Sequence, residues 1–384
     1  MTNVAAPATH PSALAAWLGD VRVRRVSPIE ARHAIHAYYT ATPESPDGSQ
    51  ALYYASTTRE AHAGELIVCD RATGAERTLV SGLATEDSHR AACQQWVAGG
   101  RYVAYHNVRG AVEEWVVCRA DVATGETRVL ARDRQLAWGQ PDADVVPLYG
   151  PHWDPAAHRD LDLLNVVTGE IETVLTAEEV RAAYPALIAE EFGDAAKGPI
   201  SIFFPALSPD LSKVFFKIAA PLGGHFRSTQ ASKRALLVCY SLAERRFLFA
   251  DKKWGHPAWH PDSTKILDVP NMVIDVETGA RRAVPDVPRF PGSHPSWHPG
   301  GTLYATDVAL DRMPEMNAAP GEWGIALVDS QTGEWGLIDR FDESKGTASW
   351  RRCHPHPVFS PDGQRLYYTT SDTEWSRLRV AEPG

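Results

Sequence analysis

The sequence predicts an all-β fold, a seven-bladed β-propeller closed by an N-terminal strand. Three observations carry that prediction. A turn of the form Ser/His-Pro-Asp-Gly recurs at Ser45 to Gly48, Ser208 to Asp210, His260 to Asp262, His298 to Gly301 and Ser360 to Gly363. Proline presets one dihedral of that turn, and Asp or Gly tolerates the next. A second turn, Asp-x-x-Thr-Gly-Glu or a relative, recurs at Asp70 to Glu76, Asp121 to Glu126, Asn165 to Glu170, Asp275 to Gly279 and Asp329 to Glu334. Between them lie short runs of β-branched and aromatic residues, such as Ala51 to Tyr54 and Leu366 to Thr369, which suit strands. One unit is an inner strand, a Pro-Asp turn, two strands, a Thr-Gly hairpin and a fourth strand. At roughly 40–50 residues per unit, this is blade spacing.

Taken in order, residues 1–18 read as a tail or a short packing helix, and Val21 to Val26 as a spare strand. Blades follow at about 36–80, 90–131, 135–175, 200–250, 254–285, 292–340 and 350–383. The last has no final hairpin, so the spare strand is expected to complete it and close the ring. Residues 176–199 break the β pattern. Thr176-Ala-Glu-Glu179 is a capping-box signature, and the alanine-rich run to Phe192 reads as a helical insertion between blades three and four, placed to border the channel mouth. All 384 residues are read as one domain.

Composition narrows the function. A formal net charge of −10 argues against a general nucleic-acid binder, while a locally basic cleft for an acidic ligand stays open. Five scattered cysteines without a Cys-x-x-Cys pair read as reduced thiols. No segment resembles a signal peptide or a membrane span, so a cytoplasmic protein is expected. Neither a Gly-x-Ser-x-Gly elbow nor a phosphate-binding glycine loop is present.

The chemistry concentrates in histidines at one rank of the repeat. His256 opens His-Pro-Ala-Trp-His-Pro-Asp, His294 opens His-Pro-Ser-Trp-His-Pro-Gly, and His356 opens His-Pro-Val-Phe-Ser-Pro-Asp, with His354 two residues earlier. Copies headed by Ala41 and Phe204 lack the histidine, so the scaffold does not require it. In a closed ring the three fall at one level around the axis, and strand alternation places His354 on the same side as His356. Two readings stand. The imidazoles either bond backbone at each blade opening, or form a metal or proton-transfer site. His260 and His298 occupy the serine position of the turn and read as structural.

The stretch Cys353-His354-Pro355-His356-Pro357-Val358-Phe359-Ser360-Pro361-Asp362-Gly363, followed by Tyr368 to Asp372, resembles the oligogalacturonate lyases. Ser293-His294, Gly255-His256, Arg234 ahead of Ala235 to Val238, and His36 with Tyr38 and Tyr39 resemble other segments of that family. The resemblance implies a seven-bladed lyase that cleaves short pectin-derived uronides by β-elimination. It implies a divalent metal, manganese in that family, held by His294, His354 and His356, with His256 as base and Arg234 stabilising charge. The small acidic oligosaccharide would be contacted by Arg351, His36 and Arg227. At Arg351 the sequence departs from the family, which has a glutamine ligand there, and a guanidinium cannot ligate a metal. Water or another oxygen then fills the position, Arg351 clamps a substrate carboxylate, or the protein handles a different uronide or oxidised sugar. A non-catalytic propeller that binds a sugar acid or a protein partner is the alternative from another class.

Two further stretches carry paired readings. The basic, aromatic-flanked stretch Lys213 to Arg234, which contains Gly223-Gly224-His225-Phe226-Arg227, is either a loop over the cleft that contacts an anionic sugar or a solvated hairpin tip. Trp153 either stacks on a sugar ring or packs within its blade.

Overall fold

In a computed structural model describing residues 13–110, 113–140, 143–155, 157–252, 255–292 and 294–384, the repeat turns punctuate seven four-stranded antiparallel sheets. Inner and outer strands are His33–Ile35 and Glu76–Ala84 in blade 1, Gln95–Val97 and Thr127–Arg132 in blade 2, and Gln135–Leu136 and Ile171–Leu175 in blade 3. They are Ser201–Leu207 and Arg246–Asp251 in blade 4, Ala258–Trp259 and Arg281–Ala283 in blade 5, and Ser296–Trp297 and Trp335–Asp342 in blade 6. Blade 7 starts at Val358–Phe359 and is completed by Val21–Arg25, whose residues pair in antiparallel register with Arg379 to Pro383. The spare strand thus closes the ring and covers an edge that would otherwise be unpaired.

Turn chemistry accounts for the regularity. In the Thr-Gly hairpins the leading Asp takes the following backbone N–H groups, as Asp70 does from Thr73 at 2.8 Å. The glycine sits at positive φ, 73° at Gly74 and 76° at Gly333, which a Cβ would disfavour. In the Pro-Asp turns Ser45, Ser208 and Ser360 each donate to the Asp two residues on at 2.6 Å.

Successive sheets pack face to face, and the apolar core lies between them. Leu52, Tyr54, Leu66 and Val68 of blade 1 meet Trp96, Val103, Tyr105 and Val116 of blade 2. Backbone carbonyls tie neighbours together: Trp96 Nε1 donates to Pro43 at 2.8 Å, and Trp259 Nε1 to Ala206 at 2.9 Å. Across the closure, Arg365 grips the buried Glu44 through two nitrogens at 2.7 Å each, a bidentate pair that fixes geometry as well as charge.

The helical insertion is Ala177–Ala183, Pro185–Phe192 and a 3-10 turn at Gly193–Lys197, opened by the capping box at Thr176 and Glu179. It packs on blade 4, where Tyr184 meets Phe247 edge-on at 5.3 Å, and its residues do not line the cavity described below. Helix Ala13–Trp17 seats Leu14 and Trp17 against blades 6 and 7. Residues 1–12 of the expected tail lie outside the described residues, as does Ser293. All five cysteines are buried and unpaired. Among the described residues no helix is long and apolar enough to cross a membrane.

The channel is not an open pore. Tyr38 stacks on Trp138 at 4.8 Å, and Trp138 meets Phe204 at 4.5 Å, forming an aromatic plug. On one side is an apolar funnel of about 310 Å³ lined by the turn prolines Pro46, Pro209, Pro261, Pro299 and Pro361. On the other side lie the histidines.

Candidate metal centre and cavity

The rank of the repeat brings its histidines together. The His294 ring lies 4.2 Å from His256 and 4.4 Å from His356, centroid to centroid. His256 reaches this position because Gly255 precedes it: a Cβ at residue 255 would collide with the Asp268 carboxylate and Val269.

A histidine outside the rank completes the group. His89 comes from the loop Thr85 to Gln94 that precedes blade 2, and its ring lies 4.5 Å from His356. His89, His294 and His356 offer nitrogens that all lie within 4.8 Å of one another. All three residues are buried, and the Nε2 of each has no hydrogen-bond partner. A buried polar atom without a partner costs on the order of 1–3 kcal/mol, so three together form a site that calls for a ligand.

The outer nitrogens of His294 and His89 are committed. Asp307, fully buried on Leu303–Ala309 of blade 6, accepts from His294 Nδ1 at 2.9 Å, from its backbone N–H at 2.8 Å and from the backbone N–H of His356 at 3.2 Å. His89 Nδ1 donates to the Arg352 carbonyl at 3.0 Å. A carboxylate or carbonyl can only accept, so in these two rings Nδ1 carries the proton and Nε2 is a bare lone pair. Metal-binding imidazoles are oriented in this way.

His354 stands beside this group, 4.8 Å from His89 and 5.3 Å from His294 by ring centroids, with a buried Nδ1 that also lacks a partner. The strand-alternation argument for His354 and His356 does not hold. The strand begins only at Val358, and His356 has φ of 48°, a left-handed conformation that extended backbone does not contain.

His36 holds that conformation in place. Its Nε2 donates to the His356 carbonyl at 2.7 Å, and its Nδ1 accepts from Thr369 Oγ1 at 3.1 Å. Both nitrogens are used within the protein, so the expected substrate contact at His36 is replaced by a supporting one. Arg227 is also placed elsewhere. It pairs with Glu113 at 3.3 Å and donates to the Thr85 carbonyl at 3.1 Å, and it does not line the histidine cavity. Its neighbours Phe226, Trp115 and Trp153 pack on one another at 5.3–5.5 Å, which favours the packing role for Trp153. His260 and His298 are structural as expected, bonding the Gly301 and Gly363 carbonyls at 2.8 and 3.2 Å.

The cavity over the histidines has a volume of about 750 Å³ and is lined by His89, His256, His294 and His354 with Arg289, Arg312 and Arg351. Arg351 Nη1 lies 4.0 Å from the buried Asp87 carboxylate. Arg234, on Ser232–Ser241 of blade 4, lies over Phe203 at 5.5 Å. Burial, and then repulsion from Arg351, push its pKa down to about 10. Lys217 on the adjacent strand is likewise depressed, by burial first and then by Arg234 and Arg351. Burial and mutual repulsion also hold His89, His256 and His356 well below the ordinary imidazole range, and burial takes His354 to about 3. The result is a set of neutral imidazoles, His89, His256, His354 and His356, beside the arginines Arg289, Arg312 and Arg351 on an acidic protein.

Sequence reasoning missed His89, Asp307 and Lys217. The signal for the first was Thr85-Glu-Asp-Ser-His-Arg90, a charged run ahead of an inner strand. Lys217 lies within the basic stretch Lys213 to Arg234 without having been singled out there, and no comparable signal marked Asp307, which lies within an ordinary strand.

No family profile and no curated protein sequence matches this chain. Among solved structures, an oligogalacturonate lyase in complex with manganese shares 16% identity, with a TM-score of 0.64 over 94% of this chain and 93% of that one. An oligogalacturonate lyase from Vibrio parahaemolyticus shares 15% identity, with a TM-score of 0.63 over the same proportions. A chain of the mitotic checkpoint complex follows at 14% identity and a TM-score of 0.52, over 94% and 90%. What the chain shares with the oligogalacturonate lyases is therefore the fold, a seven-bladed β-propeller.

Proposed function

We propose that this protein is a metal-dependent lyase acting on short uronate oligosaccharides by β-elimination. The observation that carries the reading is the convergence of buried, partnerless imidazole nitrogens at the floor of a cavity walled by guanidinium groups. The likeness in fold to an oligogalacturonate lyase in complex with manganese supports it.

Each group has a task that its environment suits. His89, His294 and His356 would hold the divalent metal, with His354 adjacent. A metal bound there supplies Lewis acidity toward the substrate carboxylate, which acidifies the proton alpha to it. His256 borders the cavity, and its depressed pKa keeps the ring neutral at pH 7, so it can accept that proton. As the C5 proton moves to His256, the C4–oxygen bond to the departing sugar breaks, a C4–C5 double bond forms, and the departing oxygen takes up a proton from water. Arg351 and Arg234 take the carboxylate charge. Mutual repulsion among Arg351, Arg234 and Lys217 is relieved by a bound anion, which favours acidic sugars over neutral ones.

The test is elemental analysis of untagged protein, paired with absorbance on digalacturonate. Near-stoichiometric divalent metal with rising near-ultraviolet absorbance is expected, because elimination alone creates the conjugated product. Bound metal without turnover on any uronide would refute the lyase reading and leave a sugar-acid-binding propeller.

A further inference from the structure

The donor atoms at the channel floor are of one chemical type. His89, His294 and His356 contribute nitrogen, and among the described residues no carboxylate joins their group. Asp307 touches two of these histidines, but its oxygens already accept three N–H groups from His294 and His356. Arg351 at the cavity wall brings positive charge and no lone pair. His354, with its own partnerless nitrogen, adds a fourth imidazole beside the three.

Resting on the metal-dependent reading above, we infer that this is an all-imidazole centre in which His89 is a ligand, built for a borderline ion such as zinc, nickel or cobalt rather than for manganese. Manganese is suited by carboxylate, carbonyl and water oxygen, whereas imidazole suits zinc, nickel, copper and iron. His89 is central because its tautomer is set independently of the others. Arg352, from the blade 7 side, accepts its Nδ1 proton, so a loop of blade 2 and a segment of blade 7 together present a bare Nε2. An imidazole presented in this way has its orientation fixed before the ion arrives, which lowers the ordering cost of binding.

A preference for zinc over manganese is common to most nitrogen and oxygen sites. The diagnostic quantity is how the gap changes when one imidazole becomes an oxygen donor. Apoprotein of the wild type and of His89→Gln is titrated with zinc and with manganese against a chelator, with the thermal melt recorded for each. His89→Gln is expected to weaken zinc by about tenfold or more and manganese by much less, narrowing their ratio by about tenfold. Unchanged zinc affinity in a folded variant would overturn the inference. Copper-loaded wild type gives an answer that needs no variant. Pulsed electron paramagnetic resonance counts coordinated imidazoles, and three or more are expected; two or fewer would overturn it. Neither measurement uses a sugar, so failure of the lyase assay and failure of the donor-set inference are told apart.

Discussion

Asp307→Asn separates a structural carboxylate from one that tunes a metal centre. Asp307 is fully buried and accepts from His294 Nδ1 at 2.9 Å and from the backbone N–H groups of His294 and His356 at 2.8 and 3.2 Å. Asparagine keeps the shape but offers one oxygen and one NH2 group. At least one of these donors then faces another donor. Hydrogen bonds to a charged group are each worth about 1.5–3 kcal/mol, so a loss of roughly 3 kcal/mol is expected. At about 2.1 cal/mol/K of unfolding entropy per residue, that lowers the melting temperature of this chain by about 4 °C. The second consequence is specific. Without an anionic acceptor, His294 loses the constraint that keeps its proton on Nδ1, and the tautomer with Nε2 protonated cannot ligate. Metal affinity is expected to fall about 10- to 100-fold, equivalent to about 1.4–2.7 kcal/mol. The assay is a zinc titration of apoprotein against a chromophoric chelator, alongside the melt. A lower melting temperature with unchanged affinity would refute the tautomer argument and reduce Asp307 to a structural acceptor.

Other expectations follow from the same geometry. His256→Ala should retain bound metal and lose turnover by about 10²–10⁴-fold; metal analysis and the absorbance assay read both, and unchanged turnover would place the base elsewhere. Arg351 repels the protonated forms of His89 and His354, so Arg351→Gln should bind metal more tightly while raising KM for a uronate by about tenfold. If KM stays constant, Arg351 does not meet the substrate. Glu343 is buried, and desolvation raises its carboxyl pKa to about 8. A raised pKa means that the folded state holds a proton the unfolded chain releases, so stability present below about pH 4.5 is lost as pH rises through 8. Glu343→Gln should remove most of that slope, on the order of a few kcal/mol, because an amide replaces the protonated acid and still accepts the Ser371 N–H, now 2.8 Å away. Parallel melting curves for the two proteins from pH 5 to 9 would contradict it.

The ring was legible because its information is local. Each blade announces itself by at least one of two turns whose residue types follow from their dihedrals, and the capping box at Thr176 marks the one interruption. The rank of His256, His294 and His356 was legible for the same reason, since equal positions in equal repeats reach equal heights around an axis. His354 does stand beside His294 and His89, but alternation is not the reason, because that rule assumes extended backbone and the left-handed turn at His356 breaks it. His36 and Arg227 carry the right chemistry for a ligand contact. The partners that hold them, the His356 and Thr85 carbonyls, come from distant loops that no periodicity relates to them.

The sequence by itself determined the architecture, the closing strand and three of the imidazoles on the axis, because turn propensity and repeat period act over a few residues. Only the tertiary structure decided the composition of the centre. His89 joins it from six residues ahead of its strand, through a loop bent at Ala91 and Cys93, whose φ angles are 47° and 50°. Its proton is directed by Arg352, more than half the chain away in sequence. Asp307 orients His294 from within an ordinary strand. Such contacts exist because the closed ring brings the first, second, sixth and seventh blades to one point, and the free energy that holds them there is the packing between sheets rather than any local preference of the residues themselves.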